Sequence, residues 1–244
     1  MLVLIGALLA SMIFPLATYF FLRNAHKENP DYRKDCRKLL LSGLLLCIPV
    51  FGFSLLCDLV FVFLGLRSKY PFLKPVFEAF VLMAFSEELM KYLLAGKIIK
   101  KNHSAVSFLD VMSYTTIAAI GFEIMESVVY VASANVAQIL VRGITNMHAA
   151  FGLIMGYILA KGYKKNGKAP VVQAVLASTL IHGIYDFCLS EEIIETDWGY
   201  ISLLLTALCL VLVVYNFFFM TKARKKSYYT DPLFPEQEET TLEG

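Results

Sequence analysis

Eight side chains able to do chemistry fall inside stretches that are otherwise apolar enough to cross a bilayer. Glu87 and Glu88 are adjacent in Phe85-Ser86-Glu87-Glu88-Leu89-Met90-Lys91, with Lys91 four residues after Glu87. On a helix that spacing puts Glu87 and Lys91 on one face, while Glu88 points about 100° away, so one lysine cannot neutralise both. Glu123 and Glu126 are three apart in Gly121-Phe122-Glu123-Ile124-Met125-Glu126 and share a face. His148 stands in Asn146-Met147-His148-Ala149, and His182 and Asp186 lie four apart in His182-Gly183-Ile184-Tyr185-Asp186. Charged side chains at membrane depth cost about 2.5–3.5 kcal/mol on insertion scales, so they usually face a bundle interior and mark function.

Taken as ionised, the five carboxylates carry minus five and Lys91 returns plus one, with both histidines neutral. So much negative charge in a low dielectric calls for protonation or a bound cation. Imidazole with carboxylate suits zinc, whose catalytic sites typically use three protein ligands and keep one position for water. Bound water then loses a proton near neutral pH, and a neighbouring glutamate can serve as general base.

The elements that must position these groups are membrane helices. The chain has 244 residues, 58% of them hydrophobic and 17% charged, with a mean hydropathy of +0.64, too apolar for an ordinary soluble domain. Seven stretches reach the roughly 20 residues a crossing needs: 2–22, 39–62, 76–97, 109–132, 138–160, 170–190 and 199–220. The expected fold is an all-α polytopic helical bundle, one transmembrane domain over 1–226 and a disordered cytoplasmic tail over 227–244. Residues 1–22 are read as a retained first span and not a signal peptide, because no basic residues precede their apolar core.

Lys and Arg concentrate in the 23–38, 97–101 and 161–168 connections and after the last span, 17 on that side against Arg67, Lys69, Lys74 and Arg142 on the other. The N-terminus is therefore expected outside and the C-terminus in the cytoplasm. With ~1.5 Å of rise per residue and a core of ~30 Å, Glu87 comes roughly 16 Å below the outer face, Glu123 about 10–13 Å, His182 about 12 Å and His148 about 7–10 Å. They share one layer in the outer half, as a polar chamber opening outward would. The net charge of +2 is spread over several loops and suggests no nucleic-acid partner. The five cysteines show no metal-ligand spacing and no disulfide framework.

In this order, Glu87-Glu88-Leu89-Met90-Lys91, then Phe122-Glu123-Ile124-Met125-Glu126, then His148 and His182 on two further helices, the chain resembles the PrsW intramembrane proteases, relatives of the CAAX-processing endopeptidases. The resemblance covers about 76–190, the catalytic bundle. It implies a metal-dependent endoprotease of the bacterial plasma membrane that cuts a membrane-anchored protein near the outer face. First-step cleavage of an anti-sigma factor under envelope stress is the family's role. It further implies that Glu87 or Glu88 activates water, that His148 and His182 with Glu123 or Glu126 hold zinc, that Lys91 tunes the glutamate pair, and that Asp186 orients His182.

Other classes compete. A proton- or cation-coupled transporter would use the same residue types as a relay, but the polar layer has no continuation toward the cytoplasm and no paired broken helices appear. A non-catalytic relative that binds a membrane partner would have lost the glutamate pair or a histidine, and both are intact. Asp58, Glu78 and Asp110 match nothing in the pattern and are read as structural or interfacial.

Overall fold

The computed structural model describes residues 2–26, 28–70, 73–102, 106–130, 136, 139, 143, 145–190 and 199–234. The described residues are helical throughout, with no strand beyond one isolated bridge between Ser107 and Pro232. In chain order the helices are α1 (Leu2–Ser11), α2 (Ile13–Arg23), α3 (Pro30–Leu44), α4 (Cys47–Phe63), α5 (Leu66–Lys69), α6 (Leu73–Phe77), a π-helical segment (Glu78–Phe85), α7 (Ser86–Lys101), α8 (Phe108–Tyr130), α9 (Met147–Asn166), α10 (Val171–Cys188), α11 (Gly199–Ala223) and α12 (Ser227–Thr230).

Three runs are long and apolar enough to cross a membrane, Leu2–His26, Phe108–Tyr130 and Val171–Cys188, and the bent pair Pro30–Leu44 with Cys47–Phe63 passes as a fourth. The chain is thus a helical membrane protein. Of the remaining expected spans, 76–97 falls on α6 to α7, 199–220 on α11, and 138–160 on α9 from Met147 onward, most of its earlier part lying outside the described residues.

Proline and capping chemistry explain the element ends. Pro15 cannot donate to the Ser11 carbonyl, and the break between α1 and α2 falls at Met12. Pro49 likewise cannot donate to Leu45, and there the chain turns by 43° between α3 and α4. The 23–38 stretch, expected as a loop, is helical from Pro30. Asn29 caps α3 by accepting the Tyr32 N–H at 3.0 Å, with Pro30 in the first turn. Ser107 and Asp110 form a reciprocal cap at the start of α8: Asp110 accepts the Ser107 N–H at 2.9 Å, and Ser107 Oγ accepts the Asp110 N–H at 3.2 Å. Asp110 also meets His26 Nε2 at 2.9 Å, which makes it a structural residue.

The centre of the bundle is α8, buried without a break from Phe108 to Glu123. A helix apolar all round belongs inside, and α3 and α9 press on it through glycine. A Cβ on Gly43 would come 2.6 Å from the Ala118 carbonyl oxygen, and one on Gly152 would come 2.8 Å from Thr116 Cα. Other glycines also sit at close helix contacts: Gly121 meets Leu40 and Gly43, Gly143 meets Ser11, Gly156 meets Thr115, and Gly183 meets the Phe80 ring. Of the tail expected to be disordered, Ser227–Thr230 form a helical turn and the Leu233 N–H donates to Val106 O at 2.8 Å. Residues 235–244, His103 and the acidic 191–197 loop lie outside the described residues.

Candidate active site

Four helices bring the polar residues together. The first turn of α7 supplies Glu87 and Glu88, and the next turn Lys91. The far end of α8 supplies Phe122, Glu123 and Glu126, the first turn of α9 supplies His148, and α10 supplies Ser178, His182 and Asp186. His148 sits in the first turn of α9, two residues after its cap residue Asn146. Asn146 adopts a left-handed conformation (φ 47°) just before it, held by an Nδ2 bond to Thr18 Oγ1 at 2.9 Å. Asparagine tolerates that backbone better than most residues.

Lys91 is the hub. Its ammonium, 1% exposed, donates to Glu87 Oε2 at 3.0 Å and Glu88 Oε1 at 2.9 Å. It lies 2.9 Å from His148 Nδ1 and 4.4 Å from the centre of the Phe122 ring. An ammonium has only donors, so His148 Nδ1 must accept, and the proton of the neutral ring then sits on Nε2. That nitrogen faces Glu126 Oε2 at 2.6 Å.

His182 is arranged in parallel, with Nδ1 3.0 Å from Glu88 Oε1 and Nε2 3.1 Å from Asp186 Oδ2. Each imidazole therefore points one nitrogen at the α7 cluster and the other at a carboxylate behind it. The His182 ring stacks on Phe151 at 4.6 Å, which fixes its plane.

The two adjacent glutamates differ. Glu88 is fully buried and ringed by Lys91, His182 and Ser178, whose hydroxyl reaches Oε2 at 2.7 Å. Glu87 is 6% exposed and lines an apolar groove that Glu88 does not reach. Glu123 joins His148, His182 and Asp186 around a cavity of about 10 Å³, near the smallest volume that admits one water.

One donor atom from each of Glu87, Glu88, His148 and His182 lies within 4.8 Å of the others. Two imidazoles and two carboxylates are a donor set that zinc accepts. Lys91 touches three of the four, so a metal held by all of them would require the ammonium to move aside. Glu123 and Glu126, expected as ligands, stand differently: Glu126 backs His148, and Glu123 borders the water-sized cavity.

Ser178 and Phe151 contact the cluster but were not singled out in the sequence. The available signal was the i, i+4, i+8 stripe of Ser178, His182 and Asp186 on one face of α10.

A family model described as PrsW family intramembrane metalloprotease matches residues 37–220. The match extends beyond the expected 76–190 at both ends, into α3 and α11, and contains every residue of the cluster. Relatives named Protease PrsW include one from Oceanobacillus iheyensis, 27% identical over 62% of this chain and 68% of its own. One from Clostridioides difficile is 32% identical over 55% and 60% of the two chains, and one from Bacillus subtilis 25% identical over 77% and 82%. No solved structure matches.

Proposed function

We propose a reaction from one premise: the chain belongs to the PrsW family of intramembrane metalloproteases, and it is a peptidase. The substrate is a membrane-anchored protein, cut near the outer membrane face by attack of water on a peptide carbonyl. In the cell that substrate is an anti-sigma factor under envelope stress. The bundle crosses the plasma membrane seven times, N-terminus outside and C-terminus cytoplasmic. Three helical runs long and apolar enough to cross, a fourth if the bent pair counts as one, and the one-sided distribution of Lys and Arg support a multi-pass topology.

The observation that carries the reading is the buried convergence of Glu87, Glu88, His148 and His182 in a chain of this family. His148, His182 and Glu88 hold the metal, taken to be zinc, which when bound polarises the peptide carbonyl and lowers the pKa of its water to about 7. Glu87 is the general base. It is the glutamate with fewer donors around it and the one that faces the groove, so its carboxylate can turn to a water and later hand the proton to the leaving amine. Lys91 holds both glutamates in place through its two bonds, and its bond to Glu87 sets where that carboxylate rests. Glu126 and Asp186 hold the two imidazoles from behind, as carboxylates do for metal-bound histidine. Glu123 helps position the attacking water.

The test is cleavage of a single-span reporter by protein reconstituted in vesicles. Activity should vanish with a chelator, return with zinc, and fall by 10² or more in Glu87→Gln and Glu88→Gln. Undiminished cutting in both variants would sink the assignment.

A further inference from the structure

Along α3 the chain packs on α8 at backbone contact, Gly43 against Gly121. At Leu45 and Leu46 the chain bends, so that α4 runs at 43° to α3. The wedge this opens is a groove of about 840 Å³ between α4, the π-helical segment and the end of α8. Its mouth is apolar and open at the surface: Leu45, Ile48 and Phe51 are 61–72% exposed. Its inner end is polar, reaching Glu87, Glu126 and Asp186 of the cluster. On its wall the Ser54 hydroxyl lies against the Leu82 carbonyl in the π-helical segment, 3.0 Å from the hydroxyl of buried Ser86, which meets the same carbonyl. Such segments are wide turns frequently found at functional sites.

We propose that this wedge is where the apolar membrane segment of the substrate docks, with its helix ending at Glu87 so that the unwound residues beyond face the carboxylates. The inference rests on the protease reading and adds the place and chemistry of substrate binding. A helix 10–12 Å across with ~1.5 Å of rise per residue fills roughly 120–170 Å³ per residue, so the wedge admits at least roughly 5–7 residues, short of two turns. A lipid acyl chain would leave Glu87, Glu126 and Asp186 against hydrocarbon at the inner end. A polypeptide released from its helix there offers backbone N–H groups to those acceptors, and its apolar side chains match the groove's walls.

The experiment uses full-length Glu87→Gln protein in phosphatidylethanolamine–phosphatidylglycerol vesicles. A photoreactive benzoylphenylalanine replaces Phe51 or Val129 in the groove, or Leu176 or Leu180 on the exposed face of α10. The probe is a synthetic peptide with one apolar stretch of about 20 Leu and Ala residues and a polar outer extension. Peptide adducts from the groove positions should exceed those from α10 by roughly tenfold. Val129→Trp, at an exposed groove position, should abolish adducts from Phe51 while thermal stability holds. Equal adducts at all four positions, phospholipid adducts only, or chain-to-chain adducts would overturn the proposal. Cleavage of the peptide by the wild type is followed in the same vesicles. Metal-dependent cutting without groove adducts defeats the groove alone. Groove adducts without cutting support the groove and count against the chemistry assigned to Glu87.

Discussion

Replacing Lys91 with methionine keeps the volume and removes the cation. The ammonium is buried and bonds both glutamates within 3.0 Å. Without it, two adjacent buried carboxylates lose the cation they share. Breaking a buried ion pair by deleting one partner costs about 3–5 kcal/mol, since the remaining charge is stranded. That is roughly a hundred- to several-thousand-fold in the ratio of folded to unfolded protein. The second carboxylate pushes Lys91→Met toward the upper end. Removing one stranded charge as well should recover part of the loss, so Glu87→Gln/Lys91→Met should be more stable than the sum of the singles by about 1–3 kcal/mol. The assay is reversible unfolding in mixed micelles with increasing sodium dodecyl sulfate, read by tryptophan fluorescence and circular dichroism. Zinc adds a second arm. If metal and ammonium compete for the same donors, zinc at a hundred times its Kd should restore about 2.7 kcal/mol to Lys91→Met. A Lys91→Met protein within about 0.5 kcal/mol of wild type, or strict additivity in the double variant, would refute the reasoning.

Ser178→Ala deletes a donor to the Glu88 carboxylate and should lower cleavage roughly ten- to a hundredfold, from about 1.5–3 kcal/mol for a hydrogen bond to a charged group, with the fold unchanged by circular dichroism. Asp186→Asn should weaken zinc affinity about 10- to 100-fold in a competition titration with a fluorescent chelator. Gly43→Val forces side-chain atoms into the Ala118 carbonyl and should cost at least about 1–3 kcal/mol, seen as a lower melting temperature.

Much of the site was legible because intramembrane charge is rare. Once Glu87, Glu88, His148, His182 and Asp186 stand out against apolar sequence, their order and helical spacing bring them together. Ser178 was not legible, since a serine in an apolar helix more often bonds its own backbone, and only its place opposite Glu88 gives it a role. Nor could spacing separate Glu87 from Glu88 or give Glu126 its place behind His148, because both depend on how α7, α8 and α9 rotate against one another. Hydropathy located the helices but not their ends. Charged turns such as 30–38 continue a helix without raising hydropathy, and Asn29-Pro30 was the unused signal for that start. The groove depends on Pro49, whose missing N–H sits in the middle of a stretch that hydropathy reads as one continuous span.

The most direct test is the metal content of the purified full-length protein, prepared without chelator and measured by mass spectrometry beside His148→Ala and His182→Ala. About one zinc per folded chain, lost in both variants, is the expected result. A well-folded, proteolytically active wild type carrying no metal would contradict the ligand assignment, and the glutamate pair would then have to activate water unaided.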